Sequence, residues 1–332
     1  VAPPTEILVD IAVIGAGPTG LYAAYYAGFR GLTSAVVDAL DQPGGQVAAL
    51  YPEKRLYDVA GHVAVRGREL VDNLVAQAAP FEPRYLLGQT ADSLVEDGGH
   101  WLLGTDAGTT VRAGAVVIAS GIGRVEPRTL PCSVPFEGRG VAYHVPRPDE
   151  HRGRDVVIVG GGDSAVDWAL TLAPIAGSVT LVHRRSGFRA HEYSVRQLHE
   201  APVRIITDAQ VTACHGNGML QSVTVTAPEG ELRLPAQALV GALGFSAQLG
   251  PIADWGLELT NRRVLVDAAS MRTSLPRVYA VGDGCDRPGR VPLISVGFGE
   301  AATAVNHAAV ALRPAAQLVP EHSSDVPQPL PA

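Results

Sequence analysis

The 332-residue sequence predicts an α/β fold of two parallel-sheet domains, the second inserted into the first. Three observations carry that expectation. Near the start of the chain an apolar run feeds a glycine loop and then a helical stretch. The same order returns in the middle, and a third apolar run, ending in Gly-Asp, lies towards the C-terminus. The 37 glycines, with short Val/Ile/Ala runs between them, fit a chain of buried strands joined by tight turns. At 46% hydrophobic, a chain of this length can fill two cores.

The first ten residues contain Pro3 and Pro4, and Ile11–Ile14 then reads as a buried parallel strand. The loop Gly15-Ala16-Gly17-Pro18-Thr19-Gly20 comes next, then the helical stretch Leu21–Tyr26. Val36 and Val37 close the next strand, with Asp38 at its end. In that order the glycines permit the turn and let a pyrophosphate approach the helix N-terminus, while the acid can take both ribose hydroxyls. The stretch Gln89–Ile118 alternates and turns often, which predicts a small antiparallel meander within this domain.

The second unit has Asp155–Val159 as strand, Gly160-Gly161-Gly162-Asp163-Ser164-Ala165 as loop, Val166–Leu172 as helix and Val179–Val182 as the next strand. From first glycine to strand-end residue the spacing matches, Gly15 to Asp38 and Gly160 to His183, and is close to the ~20 expected. Here the strand ends in His183-Arg184-Arg185. An acid would repel a 2′-phosphate, whereas guanidinium forks grip one, so this site should prefer NADP over NAD. Two sites of opposite charge imply two dinucleotides, and FAD suits the acid-ended one. The chain therefore reads as two Rossmann-like, three-layer ββα dinucleotide-binding domains.

Val278–Asp283 must rejoin the first domain if Asp283 is to reach the flavin's ribityl chain, so the second unit is an insertion. Turns at Ala119-Ser120-Gly121 and Gly241-Ala242-Leu243-Gly244 mark the crossings. Residues 1–124 with 245–332 are expected to bind FAD, and 125–244 NADPH. From about residue 313 a tail with Pro314, Pro320, Pro327, Pro329 and Pro331 reads as extended.

A formal charge of −7 argues against nucleic acid as a partner. No apolar run approaches the ~18–20 residues that span a bilayer, and residues 1–10 lack a signal-peptide layout. Of the 26 basic residues only Lys54 is a lysine, and this carries no functional meaning. Cys132, Cys214 and Cys285 form neither a metal-ligand nor a CxxC spacing, and so sparse a set fits a reducing cytoplasm.

The two loops, Gly44-Gly45-Gln46, the basic triplet and the Gly282-Asp283 strand together resemble the thioredoxin reductase fold over nearly the whole chain. Thioredoxin reductases carry a redox CxxC shortly after a Gly-Arg-Gly-Val-x-Tyr run. Here that run is Gly138–Tyr143, and the next residues are His144-Val145-Pro146-Arg147. Cys132 lies upstream and without a partner in sequence, so disulfide reduction is excluded. Three further stretches are similar to the ferredoxin–NADP⁺ reductase branch. They are Gly45-Gln46 through Leu50–Lys54 to Tyr57-Asp58-Val59, Phe188-Arg189-Ala190-His191-Glu192, and Gly297–Ala301 with Val305-Asn306.

That resemblance implies FAD contacts from Gly15, Gly17, Thr19, Gly20, Asp38, Gln46, Tyr51 and Asp283, with backbone help near Ala91 and Val125. It implies that Tyr51 stacks on one flavin face, and that His322 with Ser324, from the tail of the other subunit of a homodimer, covers the second face. The NADPH site comprises Gly160, Gly162, Asp163, Ser164, His183, Arg184, Arg185 and Arg189. Family members usually have Glu where this chain has Asp38, a shorter reach with the same two oxygens. The implied activity is electron transfer between NADPH and ferredoxin or flavodoxin through FAD. Two other readings fit the same residues: a general NADPH diaphorase or quinone reductase, and a non-catalytic sensor that holds both nucleotides.

Overall fold

The computed structural model describes residues 6–319, apart from the side chains of 124–126 and 245–247. Two compact units emerge, one from residues up to Arg124 with those from Ala247 onward, the other from Val125–Ser246. The chain passes between them in the short strands Arg124–Pro127 and Phe245–Gln248. The helices, in chain order, are α1 (Pro18–Phe29), α2 (Gly45–Leu50), α3 (Gly67–Ala78), α4 (Asp163–Leu172), α5 (Glu192–Glu200) and α6 (Ile294–Leu312).

In the first unit Glu6–Ile14 is the central strand, flanked in parallel by Ser34–Asp38 and by Thr110–Ile118. Arg84–Leu87 adds a further parallel strand beside Ser34–Asp38. Thr110–Ile118 divides its other edge between two partners. Its first half pairs antiparallel with His100–Thr105, which turns back from Ala91–Asp97, and its second half pairs in parallel with Val278–Ala280. The meander expected from Gln89–Ile118 is therefore present, and it shares a strand with the parallel sheet.

The same geometry explains why the first strand starts at Glu6, five residues before the apolar run suggested. From Glu6 to Val9 exposed and buried residues alternate, beside the meander, and from Ile11 to Ile14 every residue is buried. Ile7-Leu8-Val9 continues the apolar stretch towards the N-terminus, but Asp10 interrupts it and Leu8 is 65% exposed, so this half is covered on one face only.

Pro18 occupies the first turn of α1, where its missing N–H costs nothing. Ala23, Ala24 and Ala27 of α1 are fully buried, as are Ala301, Ala304 and Ala308 of α6, which packs against it. Small side chains let two helices lie close over one sheet.

The second unit holds a five-stranded, wholly parallel sheet in the order Val141–Ala142, Ala238–Gly241, Asp155–Val159, Ser178–Val182, Arg204–Ile206. A three-stranded antiparallel sheet of Gln210–Asn217, Met219–Ala227 and Gly230–Pro235 is added to it. Helix α4 buries Ala165, Val166, Trp168, Ala169 and Leu172, the spacing of one helical face. It starts at Asp163 rather than Val166, because polar first-turn residues carry no apolar periodicity. Each unit thus combines a parallel sheet, an antiparallel sheet and helices.

Candidate functional site

In the first unit four turns distant in sequence meet at the C-terminal ends of the parallel strands. Gly15 donates its N–H to Val37 at 2.8 Å and has φ +104°, and a Cβ there would lie 2.4 Å from the Ala119 carbonyl oxygen. A Cβ on Gly20 would come within 1.8 Å of the Gly15 oxygen. These two glycines are required by the protein itself. Gly17 is not: its φ of −69° is ordinary and the nearest atom to a Cβ would be 4.0 Å away. The loop is tied to Gly44, whose N–H reaches the Ala16 carbonyl at 2.7 Å.

Asp38 stands at its strand end and faces the loop. Its Oδ2 accepts the Ala16 N–H at 2.5 Å and its Oδ1 the Leu40 N–H at 2.8 Å. The carboxylate therefore shapes the loop, with a lone pair on each oxygen remaining. Gln89 donates its N–H to the Asp38 carbonyl at 3.0 Å, which brings the buried Ala91 into the same neighbourhood. Thr19 is wedged between two glycines, since a Cβ on Gly282 or Gly297 would lie 3.0 or 2.4 Å from its Oγ1. The Gln46 amide nitrogen is 3.3 Å from the position of a Gly121 Cβ.

Tyr51 ends α2, and the Lys54 ammonium lies over its ring at 5.7 Å from the centroid. Burial pushes the Tyr51 phenol up to about 12, with the Asp283 and Asp58 carboxylates adding to the effect. Asp283 is the middle residue of the Gly282–Gly284 turn that follows Val278–Ala280, and it is held by Arg290 at 3.1 Å. Sequence reasoning missed Arg290, Glu300 and Ser120. Glu300 lies within the family-like Gly297–Ala301 stretch and Ser120 within the Ala119-Ser120-Gly121 turn, while nothing local marks Arg290. Val125 lies in the Arg124–Pro127 strand, its side chain not among those described, and His322 and Ser324 lie outside the described residues.

In the second unit Gly160 has φ +156°, and a Cβ there would lie 2.2 Å from the Ala242 oxygen. Gly162 has φ −99° and nothing within 4 Å of a Cβ position, the same contrast as in the first loop. The Phe188–Glu192 stretch closes over this loop. Arg189 donates its N–H to the Gly161 carbonyl at 2.7 Å, and His191 donates its N–H to Asp163 Oδ1 at 2.9 Å. Arg184, Arg185, Arg189 and Ser164 are exposed beside it.

His183 is turned the other way from its arginine neighbours. It is only 9% exposed, stacks on Phe188 with centroids 5.4 Å apart, and its Nε2 lies 3.1 Å from the Gly187 carbonyl. A Cβ on Gly161 would sit 2.1 Å from its ring, so His183 packs beneath the loop.

The cysteines require a correction. The sequence leaves Cys132 without a partner, but the fold brings it to Cys214. A register shift at Val211–Ala213 brings the Gln210–Asn217 strand against Cys132, whose thiol lies 3.8 Å from the Val211 carbonyl. Both are free thiols, and Cys132 is near enough to Cys214 to act on its charge. Burial, and then Cys132, push Cys214 up to about 12. That keeps Cys214 a thiol rather than the thiolate that disulfide chemistry needs.

Both loops fit dinucleotides by a direct structural test. The middle glycines, Gly17 and Gly162, answer to no neighbouring protein atom, and each opens onto space at a helix N-terminus where backbone N–H groups favour a phosphate. Ser120 Oγ, at the turn facing Gln46 and Gly284, is buried without a hydrogen-bond partner among the described residues. Buried hydroxyls are nearly always satisfied, so Ser120 Oγ is free to meet a ligand or an ordered water. Among the described residues no group of His, Cys, Asp and Glu could hold a metal, and no helix is long and apolar enough to cross a membrane.

Two glycine loops on two ββα units define a pyridine-nucleotide flavoprotein architecture. The chain belongs to the pyridine nucleotide-disulphide oxidoreductase family, whose model matches residues 9–308. Among its relatives, a protein named ferredoxin–NADP reductase from Salinispora arenicola is 57% identical over 318 residues, covering 96% of this chain and 98% of that protein. One of the same name from Saccharopolyspora erythraea is 57% identical over 320 residues, with 96% and 98% covered. The fold is similar to that of T. acidophilum thioredoxin reductase, with a TM-score of 0.81, 24% identity, and coverage of 91% of this chain and 98% of that one.

Proposed function

We propose that this chain is an NADPH-dependent ferredoxin–NADP reductase that holds FAD in its first unit and NADPH in its second. The carrying observation is the pair of loops combined with the residues just after Tyr143. Both nucleotides have a place, yet His144–Arg147 offers no dithiol, and burial keeps the Cys214 thiol beside Cys132 protonated. Electrons therefore leave for an external acceptor. Ferredoxin is that acceptor, as the relatives' names indicate, and flavodoxin is a second acceptor of the same kind.

FAD when bound accepts hydride from NADPH and releases electrons singly. The chain's task is to hold and orient. Gly17 admits the pyrophosphate on a loop that Gly15 and Gly20 allow to close, Asp38 takes the ribose, and Ser120, Gln46 and Asp283 face the remaining polar groups. Thr19 braces the Gly282 turn, and Tyr51 offers the flavin an aromatic surface. In the second unit Gly162, the Asp163 backbone N–H and Ser164 receive the pyrophosphate on the turn that Gly160 permits, and Arg184, Arg185 and Arg189 read the 2′-phosphate. No side chain serves as nucleophile or general base. The working form is a cytoplasmic homodimer in which His322 and Ser324 of the tail reach a flavin.

The test is cytochrome c reduction by NADPH with and without added ferredoxin, beside ferricyanide reduction. Strict dependence on ferredoxin supports this reading. Equal rates without it indicate a general diaphorase, and failure to oxidise NADPH with ferricyanide indicates a nucleotide sensor.

A further inference from the structure

One buried charged cluster has no part in that scheme. Glu300, on α6, is 3% exposed, and its carboxylate accepts the Gly282 N–H at 2.9 Å. The Cys285 thiol and the Arg287 guanidinium approach the same carboxylate at 3.7 and 3.4 Å. The Arg290 side chain is also 3% exposed and forks between two acids. Its Nε donates to Glu300 Oε1 at 3.2 Å, and its Nη2 donates to Asp283 Oδ1 at 3.1 Å. Asp283 itself is half exposed, and its backbone carbonyl accepts from Arg263 Nε at 3.0 Å.

The buried Glu300 carboxylate is already matched by Arg290 and Arg287 and has no need of Asp283. The second arm of the fork goes instead to an acid at the mouth of the site, beside Tyr51. The Gly282–Gly284 turn is thus held three times: its first N–H by Glu300, the Asp283 carbonyl by Arg263, and one Asp283 carboxylate oxygen by Arg290. A planar guanidinium fixes direction as well as charge, which an ammonium cannot do for two acids at once.

We propose that Arg290, anchored by buried Glu300, is a positioning residue for FAD: it holds one oxygen of Asp283 and leaves the other for a hydroxyl of the cofactor. The inference rests on the assignment of FAD to the first unit. It extends the site to two residues that never touch the ligand.

The experiment monitors FAD release from diluted holoenzyme by flavin fluorescence. Arg290→Lys keeps a cation on Glu300 but gives up the fork, so the protein should fold, as circular dichroism can verify, and release FAD on the order of tenfold faster. In an Asp283→Ala background the same change should add nothing, because the interaction it removes is already gone. The double variant Arg290→Met with Glu300→Gln removes both charges, keeps an acceptor for Gly282, and should match Arg290→Lys. This second route remains informative if the lysine variant folds poorly. Unchanged release in these Arg290 variants, or losses that add in full to that of Asp283→Ala, would overturn the inference while leaving the FAD assignment standing. Unchanged release in Asp283→Ala alone would overturn the inference together with the placement of Asp283.

Discussion

At the scale of single residues the two glycine loops separate what the fold needs from what a ligand needs. Gly17→Ala introduces a methyl group with no protein atom closer than 4.0 Å. The variant should melt like the parent when stripped of FAD, yet bind FAD at least tenfold more weakly, because the methyl fills the phosphate's place. Gly20→Ala drives a carbon to 1.8 Å from the Gly15 oxygen, and overpacking of this kind costs about 1–3 kcal/mol or more, readable as a lower Tm with or without FAD. Identical behaviour of the two variants would undo the distinction. Removing Arg184 or Arg185 should raise KM for NADPH roughly ten- to over a hundredfold, from about 1.5–3 kcal/mol per charge-assisted contact, and leave KM for NADH nearly unchanged. Steady-state kinetics with both coenzymes decides it, and parallel changes would show that neither arginine reads the 2′-phosphate.

The elements explain why the residues arrive where they do. The Phe188–Glu192 stretch, which the sequence marks only as a family-like motif, works as a clasp: two backbone N–H groups, from Arg189 and His191, fasten it to Gly161 and Asp163. Asp163→Ala frees the second fastening and should raise KM for NADPH on the order of tenfold while FAD content stays constant. An unchanged KM would mean that the arm keeps its place without it. The Glu6–Ile14 strand gives a second lesson at this scale. Its second half was legible as a strand, but Ile7-Leu8-Val9, cut off by Asp10, was not read as part of it, and the pairing with Thr110–Ala113 is what joins that half to the strand. In the same way His183 could be placed at a strand end, but the direction of its ring depends on Phe188 and on the missing Cβ of Gly161.

For the whole molecule the proposed partner and tail make separate claims. An acidic ferredoxin docking on basic side chains should lose rate as salt rises, since exposed charge pairs are screened over about 10 Å at 0.1 M. Ferricyanide reduction should fall less, and a ferredoxin rate that stays flat would count against charged docking. A chain cut before Glu321 should stay folded and keep FAD, but show an altered visible flavin spectrum and faster NADPH oxidation by oxygen without acceptor. No change in either measurement would remove His322 and Ser324 from the site.

By itself the sequence determined the two ββα units, their opposite strand-end charges, the missing dithiol and most of the residues around the loops. These were legible because phosphate recognition uses consecutive backbone groups on one strand–loop–helix segment, so the signal is local. Tertiary structure alone decided that Cys132 meets Cys214, that Thr19 wedges between Gly282 and Gly297, that Ser120 is left unpaired among the described residues, and that Arg290 joins Glu300 to Asp283. Each depends on segments that the fold brings together, or on the direction a buried side chain takes among its neighbours. Hydrophobic periodicity records which face of a segment is buried, and carries nothing about which segment lies against it.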